Sequence, residues 1–356
     1  MGSAAAWQIA RSGRSVVVLE QFERGHHVGA SHGSTRNLSA AYPSDVYQSF
    51  LADARDLWKE LEQESGEQLI DWVGLVQHGW QEPLHELFAA HKRHGITSEF
   101  LDASEAQARW SGLRFDGPVL HTSDAGRIRA ADTLRVLRER AEAAGAQFLY
   151  DTPVRHLEVT GSTATVHTDD ESYTAENVIV TAGAWTSKLL PSAVQLPRLR
   201  VTQEQPAHFA LADASATWPG FMQTAVPGDT RDDYFLSPIY GMLTPSEGIK
   251  AGWHGTGVEL DPDARTFEYE EQQMLALRRY VREWIPGANA DDFTAISCTY
   301  TTTPNEDFVL DRWGPLIIGA GFSGHGFKFT PAVGKALADI VDGKPAPEIF
   351  RQLGSK

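Results

Sequence analysis

Four glycines near the end of the chain share a short stretch with His325 and Lys328. Glycine has no Cβ, so backbone here can approach a flat or anionic group closely. The apolar run 316–318 predicts a strand before the turn, and Thr330 and Pro331 suit the N-cap and first position of a helix after it. A helix N-terminus carries free N–H groups and partial positive charge. A plain strand-to-helix turn is the alternative, but so dense a cluster favours a cradle for an electron-rich ligand. The glycines are Gly319, Gly321, Gly324 and Gly326.

The beginning of the chain resembles part of a dinucleotide-binding motif. A helix is predicted over 1–13 and a strand, buried on both faces, over 15–20. Glu20 lies 18 residues after Gly2, close to the spacing at which an acidic residue binds ribose. The motif's first strand and first two glycines are missing, so we expect the sequence to begin inside it and to leave two strands without ladder partners. A plain helix–strand pair with an artificial start is the alternative.

Further chemically capable residues lie in the middle of the chain. Lys250 interrupts an apolar strand pattern, and a buried lysine is rare unless it is paired or functional. His254 lies an even number of residues away, which predicts the same face of an unbroken strand, although a satisfied core histidine is about equally expected. The loop 29–36 places Arg36 among small polar residues, either as a solvated loop or as a ring or phosphate contact. Ala182 and Gly183 follow a second buried strand and allow another close approach.

Composition limits the classes of function. The 356 residues carry a formal net charge of −16 and are 42% hydrophobic, which is typical of a globular protein and disfavours nucleic-acid and anionic membrane partners. We find no apolar run long enough to span a bilayer, and no signal peptide. Cys298 is the only cysteine, so no intrachain disulfide is expected. We predict a cytoplasmic protein of two domains, with no metal site.

Periodic patterns outline the remaining elements. Amphipathic helices are predicted over 50–64, 130–144 and 269–284, and strands over 73–76, 206–212, 233–237 and 248–254. Three short runs between 154 and 175 predict a small antiparallel meander.

Two motifs give the sequence a family resemblance. The glycine-rich stretch 319–329 and the segment 298–308, Cys-Thr-Tyr-Thr-Thr-Thr-Pro-Asn-Glu-Asp-Phe, resemble the monomeric sarcosine oxidase and N-methyltryptophan oxidase group. The likeness extends through 1–5, 31–36, 180–185 and 250–254, nearly the whole chain. It implies an α/β, two-domain flavoprotein: a Rossmann-like FAD-binding domain lacking its first strand (1–75, 130–198 and 288–356) and a substrate domain with a mixed or antiparallel sheet (76–129 and 199–287).

The resemblance also implies roles for individual residues. Cys298 would attach FAD covalently through a thioether, and Lys250 would assist the reaction with oxygen. Tyr240 and His254 would line the substrate cavity, and Lys328 would bind a substrate carboxylate. Arg36 would lie near the flavin ring. The residues predicted to bind the cofactor are Gly2, Glu20, Ser31, His32, Thr35, Arg36, Ala182, Gly183, Trp185, Cys298, Gly321, Gly324, His325, Gly326, Phe327 and Lys328.

One departure affects the expected substrate. The family often has a second arginine three residues after the position of Arg36, and this chain has Ser39 there. Lys328 alone offers a point charge and no bidentate clamp. We therefore expect a monomeric, FAD-dependent oxidase of a secondary amine or N-alkyl amino acid that makes hydrogen peroxide, with larger or less acidic substrates than sarcosine admitted. A flavin dehydrogenase with another acceptor and an inactive, truncated flavoprotein are the alternatives.

Overall fold

The computed structural model describes residues 1–213 and 215–353, and these contain eight helices and 22 strands. None of the helices in these ranges is long and apolar enough to cross a bilayer. The helices are α1 (Gly2–Ala10), α2 (Asp45–Ser65), α3 (Gln81–Arg93), α4 (Ala103–Arg109), α5 (Ala130–Ala143), α6 (Thr186–Leu189), α7 (Glu271–Trp284) and α8 (Thr330–Val341).

The strands are short and form six sheets within the described ranges. They are β1 (Val17–Leu19), β2 (Thr35–Leu38), β3 (Ile70–Asp71), β4 (Leu75–Gly79), β5 (Ser98–Leu101), β6 (Val119–Thr122), β7 (Gly126–Arg129), β8 (Gln147–Leu149), β9 (His156–Thr160), β10 (Thr163–His167), β11 (Ser172–Ala175), β12 (Val178–Val180), β13 (Arg200–Glu204), β14 (Ala207–Leu211), β15 (Gly220–Thr224), β16 (Ile239–Thr244), β17 (Gly248–Trp253), β18 (Val258–Glu259), β19 (Ala288–Ala295), β20 (Cys298–Thr302), β21 (Val309–Trp313) and β22 (Leu316–Ala320).

The largest sheet has the strand order β19-β14-β17-β16-β15-β4-β6-β5. Its pairs are antiparallel except for β15 with β4. Helix α7 is amphipathic and buries Leu277 and Val281 in the same apolar cluster as Phe209 and Ile249 of the sheet. Helix α7 therefore shields one face of this sheet from solvent. Lys250 is fixed in position because its strand, β17, is paired with a neighbouring strand on each side.

Two separate parallel strand pairs lie outside the eight-stranded sheet. Strand β1 pairs with β8, and β12 pairs with β22, which is joined on its other side by β21. Within the described residues neither β1 nor β12 has a ladder partner on its second edge, as the sequence predicts. Both strands contribute residues to the wall of the same large cavity.

Small residues let three helices approach closely on this side of the fold. Helix α1 packs against α5 and α8, and its residues Ala4, Ala5 and Ala6 are buried. A Cβ on Gly334 of α8 would lie 2.6 Å from the backbone carbon of Ala4. The contact leaves no room for a methyl group, so the spacing of α1 and α8 depends on Gly334.

Most of the predicted elements are confirmed, and three details are wrong. Strand β1 is not buried on both faces, because Val17, 45% exposed, lies beside the open edge. The stretch 233–237 is not a strand; the strand begins at Ile239, after a 3₁₀ turn at 230–232. Thr330 is the first residue of α8 and Phe329 its N-cap, because a 3₁₀ turn over 327–329 runs directly into the helix. The division into two domains remains a prediction; β19 (288–295) joins the eight-stranded sheet.

Replacing Gly334 by alanine tests the helix contact. Helix propensity alone favours alanine over glycine by about 1 kcal/mol. We expect the opposite sign, a loss of about 1–3 kcal/mol in the free energy of unfolding, because overpacking a close contact forces backbone shifts. Gly117→Ala is the control, since its Cβ would meet nothing within 4 Å. Chemical denaturation of both variants measures the difference, and a stabilised Gly334→Ala protein would contradict the packing argument.

Candidate functional site

One cavity of about 2560 Å³ runs through the molecule from Glu20 to His254. Ligand pockets of about 300–1,000 Å³ are usual, so this cavity is large. Part of its volume lies along the open edges of β1 and β12, and the rest lies between the glycine-rich turn, the loop 29–36 and the eight-stranded sheet. The cavity therefore has a strand-edge end, along β1 and β12, and an enclosed end formed by charged and aromatic side chains.

Lys328 is buried at the enclosed end, on the 3₁₀ turn before α8. Its Nζ donates to Tyr42 Oη at 2.8 Å and to the His325 carbonyl oxygen at 3.2 Å. His325 Nε2 lies 3.2 Å from the Glu306 carbonyl oxygen, so it carries the proton, and Nδ1 accepts from Tyr42 Oη at 3.0 Å. Burial lowers the pKa of Lys328 to about 7. Its neighbours are all uncharged hydrogen-bond partners.

Lys250 is the second buried cation of the cavity, with 7% of its surface exposed. Burial, followed by the charge of the Arg36 guanidinium, lowers its pKa to about 7, and Cys298 and Glu247 act in the opposite direction. The directly opposed residue on β14 is His208, whose Nδ1 lies 3.0 Å from Glu247 Oε2. Within the described ranges no carboxylate forms an ion pair with Lys250 or Lys328.

Aromatic and imidazole side chains line the space beside the two lysines. His254 Nδ1 lies 3.2 Å from Tyr300 Oη, and the rings of His254 and Tyr240 are 6.4 Å apart. Burial, followed by the charge of Lys328, lowers the pKa of His254 to about 4. Burial also raises the pKa of Tyr240 and of Tyr300. All three groups are therefore neutral near pH 7 and can donate or accept hydrogen bonds without adding charge.

Arg36 and Cys298 also line the cavity, close enough to Lys250 for their charges to act on it. Arg36 donates to the carbonyl oxygens of Thr35 at 2.7 Å and Ala30 at 2.8 Å, and its guanidinium lies 5.5 Å from the Phe327 ring centroid. These contacts fix the guanidinium at the cavity surface. Cys298 is a half-buried free thiol at the start of β20. Its sulfur has only weak contacts, at 3.9 Å to the Ala30 carbonyl oxygen and 3.8 Å to the carbonyl oxygen of Thr299.

The glycine-rich turn leaves no room for Cβ atoms, because its backbone packs closely against neighbouring side chains. A Cβ on Gly324, which has φ +78°, would lie 2.1 Å from the Tyr300 ring, and one on Gly326 would lie 2.6 Å from Phe322. A Cβ on Gly321 would meet Thr303 at 2.4 Å. These glycines bring the turn onto aromatic side chains of the cavity wall, and the turn's outer surface still faces the cavity.

Comparison with known proteins identifies the family. A family model described as FAD dependent oxidoreductase matches residues 1–340. The chain belongs to this family. It is 32% identical to monomeric sarcosine oxidase of Bacillus sp. (strain NS-129), over 96% of this chain and 90% of that one. It is 28% identical to N-methyl-L-tryptophan oxidase of Citrobacter koseri, over 97% and 92%. The open form of NikD, an amino acid oxidase of nikkomycin biosynthesis, has a similar structure, with a TM-score of 0.87, 25% identity and coverage of 98% and 94%.

The residues of the cavity fit FAD. At the strand-edge end, the N-terminus of α1 approaches Thr181. A Cβ on Gly2 would lie 2.9 Å from the Oγ1 atom of Thr181. Gly183 has φ +55° and open space where a Cβ would stand. Glu20 accepts the Phe22 backbone N–H at 3.1 Å and faces the cavity. Glycine backbone, a helix N-terminus and a carboxylate are the groups that bind a dinucleotide in such folds.

The structure brings nearly all the predicted site residues to this cavity. Gly319 is one exception, because it lies inside β22 and does not line the cavity. Thr35 is the other: it is buried, and its Oγ1 lies 2.7 Å from Thr244 Oγ1 in a contact between two sheets. It fixes the position of β2 and does not face the cavity. Trp185 reaches the wall, and its Nε1 donates to Asp263 at 2.6 Å. The predicted residues on the wall are Gly2, Glu20, Ser31, His32, Arg36, Ala182, Gly183, Trp185, Tyr240, Lys250, His254, Cys298, Gly321, Gly324, His325, Gly326, Phe327 and Lys328.

Two tyrosines of the site escape the sequence analysis. Tyr300 lies two residues after Cys298 on β20, and the two-residue period of a strand could have placed both on one face. Tyr42 follows β2 in an irregular segment, where no periodicity indicates its direction. Its contact with Lys328 joins positions 286 residues apart and becomes visible only in three dimensions.

The lowered pKa of Lys328 predicts a pH-dependent affinity for carboxylate ligands. The ammonium is present below about pH 7 and is lost as pH rises through that value. Affinity for a small carboxylate such as acetate should therefore fall about tenfold per pH unit above the pKa. Titrating the flavin absorption spectrum of the holoenzyme with acetate between pH 6 and 9 measures it.

Two variants separate the contributions of the lysines, because the pKa of Lys250 is also near 7. Lys328→Met should bind acetate weakly and with little pH dependence. Lys250→Met should keep the slope of the native protein. If the slope survives in Lys328→Met and disappears in Lys250→Met, the carboxylate binds to the other lysine.

Proposed function

We propose that this chain is an FAD-dependent oxidase of a secondary amine or N-alkyl amino acid. The observation that carries the proposal is the pair of buried lysines, Lys250 and Lys328, neither ion-paired with a carboxylate of the described residues. The neighbouring side chains of His254, Tyr240 and Tyr300 are neutral near pH 7. The named activities of the sequence relatives support it. A monomeric state and a cytoplasmic location belong to the same proposal.

The chain's own residues orient the substrate. Lys328 attracts a carboxylate as a single point charge. Ser39 is buried and lines the same cavity, and its short side chain takes up less of the cavity than an arginine would. A lysine offers no planar fork for bidentate binding. Substrates with a bulkier or less acidic group near the carboxylate position are therefore favoured over sarcosine itself.

Neutral groups surround the position of the amine. His254 and Tyr240 are uncharged near pH 7, so they accept a neutral amine without demanding a counter-charge. The two lysines disfavour a protonated amine by charge repulsion. The site therefore selects the amine form whose nitrogen lone pair can assist oxidation of the neighbouring carbon.

FAD, held at the glycine-rich turn and at Cys298, would supply the redox chemistry: a hydride equivalent would leave that carbon, and the two electrons would pass to oxygen to give hydrogen peroxide. The imine product leaves and hydrolyses in water. Lys250 places a cation, without a competing carboxylate, where negative charge develops on oxygen. Arg36, fixed by three carbonyl oxygens, adds positive charge on the same side.

Cys298 is the proposed covalent anchor. Its thiol faces the cavity with weak contacts only. Cys298 would hold FAD through a thioether to a methyl group of the ring, with loss of one hydrogen from sulfur and one from carbon. Oxygen would take up these two hydrogens and become hydrogen peroxide.

Replacing Lys250 by methionine tests the oxygen role. We expect flavin reduction by an N-methyl amino acid to change little and reoxidation by oxygen to slow by at least about a hundredfold, about 2.7 kcal/mol of lost charge stabilisation. Anaerobic stopped-flow measurement of each half-reaction separates the two rates. Equal slowing of both would contradict the assignment.

Replacing Cys298 by serine tests the anchor. The yellow colour of the native protein should remain with the pellet after acid precipitation, whereas that of Cys298→Ser should pass into the supernatant. Absorption spectra of both fractions give the result. Release of FAD from the native protein would contradict covalent attachment and leave the oxidase proposal open.

A further inference from the structure

A cluster of histidines and a carboxylate lies outside the cavity, on the meander of β9, β10 and β11. Leu157, Ala164 and Val166 of the meander are buried in the core shared with β12 and β22. Side chains alternate between the faces of a strand. The residues that alternate with these three along β9 and β10 therefore project from the solvent face.

Strand register brings three potential metal ligands together on that solvent face. His156 of β9 is directly opposite His167 of β10, and Glu158 is two residues further along β9. Directly opposed and diagonal side chains on one face lie within reach of each other. One ligand atom from each of the three residues lies within 4.8 Å of the others. The two imidazole rings are stacked, with centroids 4.1 Å apart and an interplanar angle of 6°.

The hydrogen bonds of His167 suit a metal ligand. Its Nε2 lies 3.3 Å from Glu158 Oε2, and its Nδ1 lies 2.9 Å from Ser172 Oγ on β11. With Nε2 bound to a metal, Nδ1 carries the proton and donates it to the serine hydroxyl. An outer partner of this kind orients a histidine ligand and fixes its tautomer.

The distances are compatible with a bound ion after small rotations. Metal–nitrogen and metal–oxygen bonds of about 2.0–2.2 Å require ligand atoms roughly 3.3 Å apart. His156 and Glu158 are exposed and His167 is half-buried, so side-chain rotation closes the remaining gap without moving the strands. Two imidazoles and one carboxylate suit Zn²⁺ and its transition-metal neighbours better than Ca²⁺ or Mg²⁺.

We propose that His156, Glu158 and His167 form a surface site for a borderline divalent cation such as Zn²⁺, with water in the fourth position. The ion joins β9 to β10 and stabilises the hairpin that covers the core beneath it. The sequence predicts no such site, because the histidines are in different strands and only the pairing register unites them. The proposal is independent of amine oxidation.

Calorimetric titration with zinc chloride tests the site. The holoprotein carries no oligohistidine tag and is treated with EDTA and gel-filtered before titration. We expect one ion per chain. His156→Ala and His167→Ala should each weaken binding by at least about tenfold, and Ser172→Ala by about tenfold through loss of the outer partner. The thermal unfolding temperature of the native protein should rise with zinc, and that of His167→Ala should not.

His94→Ala is the matched control, because His94 Nε2 also contacts a surface carboxylate, Asp45, at 2.8 Å, whereas the nearby His91 is buried and directs its Nε2 to the Ala40 carbonyl oxygen at 3.0 Å. Its zinc affinity should equal that of the native protein. The proposal is wrong if the native protein takes up no zinc, or if both meander variants bind it as tightly as the native protein does. Amine turnover should be equal in all of these proteins, so failure of the oxidase proposal would leave this test intact.

Discussion

Two buried lysines share one cavity, and neither forms an ion pair with a carboxylate in the part of the chain that the structure describes. The proposed chemistry of the site depends on that constraint. Burying a cation is costly, and here it lowers the pKa of Lys250 and of Lys328 to about 7. Both side chains therefore favour an anion arriving beside them. In the proposed function, one anion is a substrate carboxylate, and the other is the negative charge that develops on oxygen.

The fold keeps these charges in place by different means. Lys250 belongs to a strand that is paired on both sides within an eight-stranded sheet, so its backbone cannot move without breaking two ladders. Lys328 lies on a single 3₁₀ turn, and its carbonyl oxygen accepts from Trp58 Nε1 at 2.9 Å. The Tyr42–His325 pair then directs the ammonium. Sheet pairing holds one cation, and a hydrogen-bond network between distant segments holds the other.

Sequence patterns predict the elements that carry the site and most of its residues. The odd lysine in an apolar strand identifies Lys250, and the glycine-rich turn identifies the neighbourhood of Lys328. Periodicity fails where contact between distant segments decides the structure. The stretch 233–237 alternates like a strand but lies in a turn before β16. Tyr42 carries no local signal, and the cluster of His156 and His167 depends on strand register. The glycines that the sequence analysis interprets as a cofactor cradle also make room for the side chains of Tyr300 and Phe322.

The central claim is that the cavity oxidises an amine and delivers the electrons to oxygen. Its most direct test is the visible spectrum of the holoenzyme, recorded without oxygen as an N-methyl amino acid is added and again after air is admitted. The account predicts that the flavin band bleaches with substrate and returns in air, with about one hydrogen peroxide released for each flavin restored. An unchanged band across a panel of N-methyl and N-alkyl amino acids, or recovery only with an artificial acceptor and no peroxide, would contradict it.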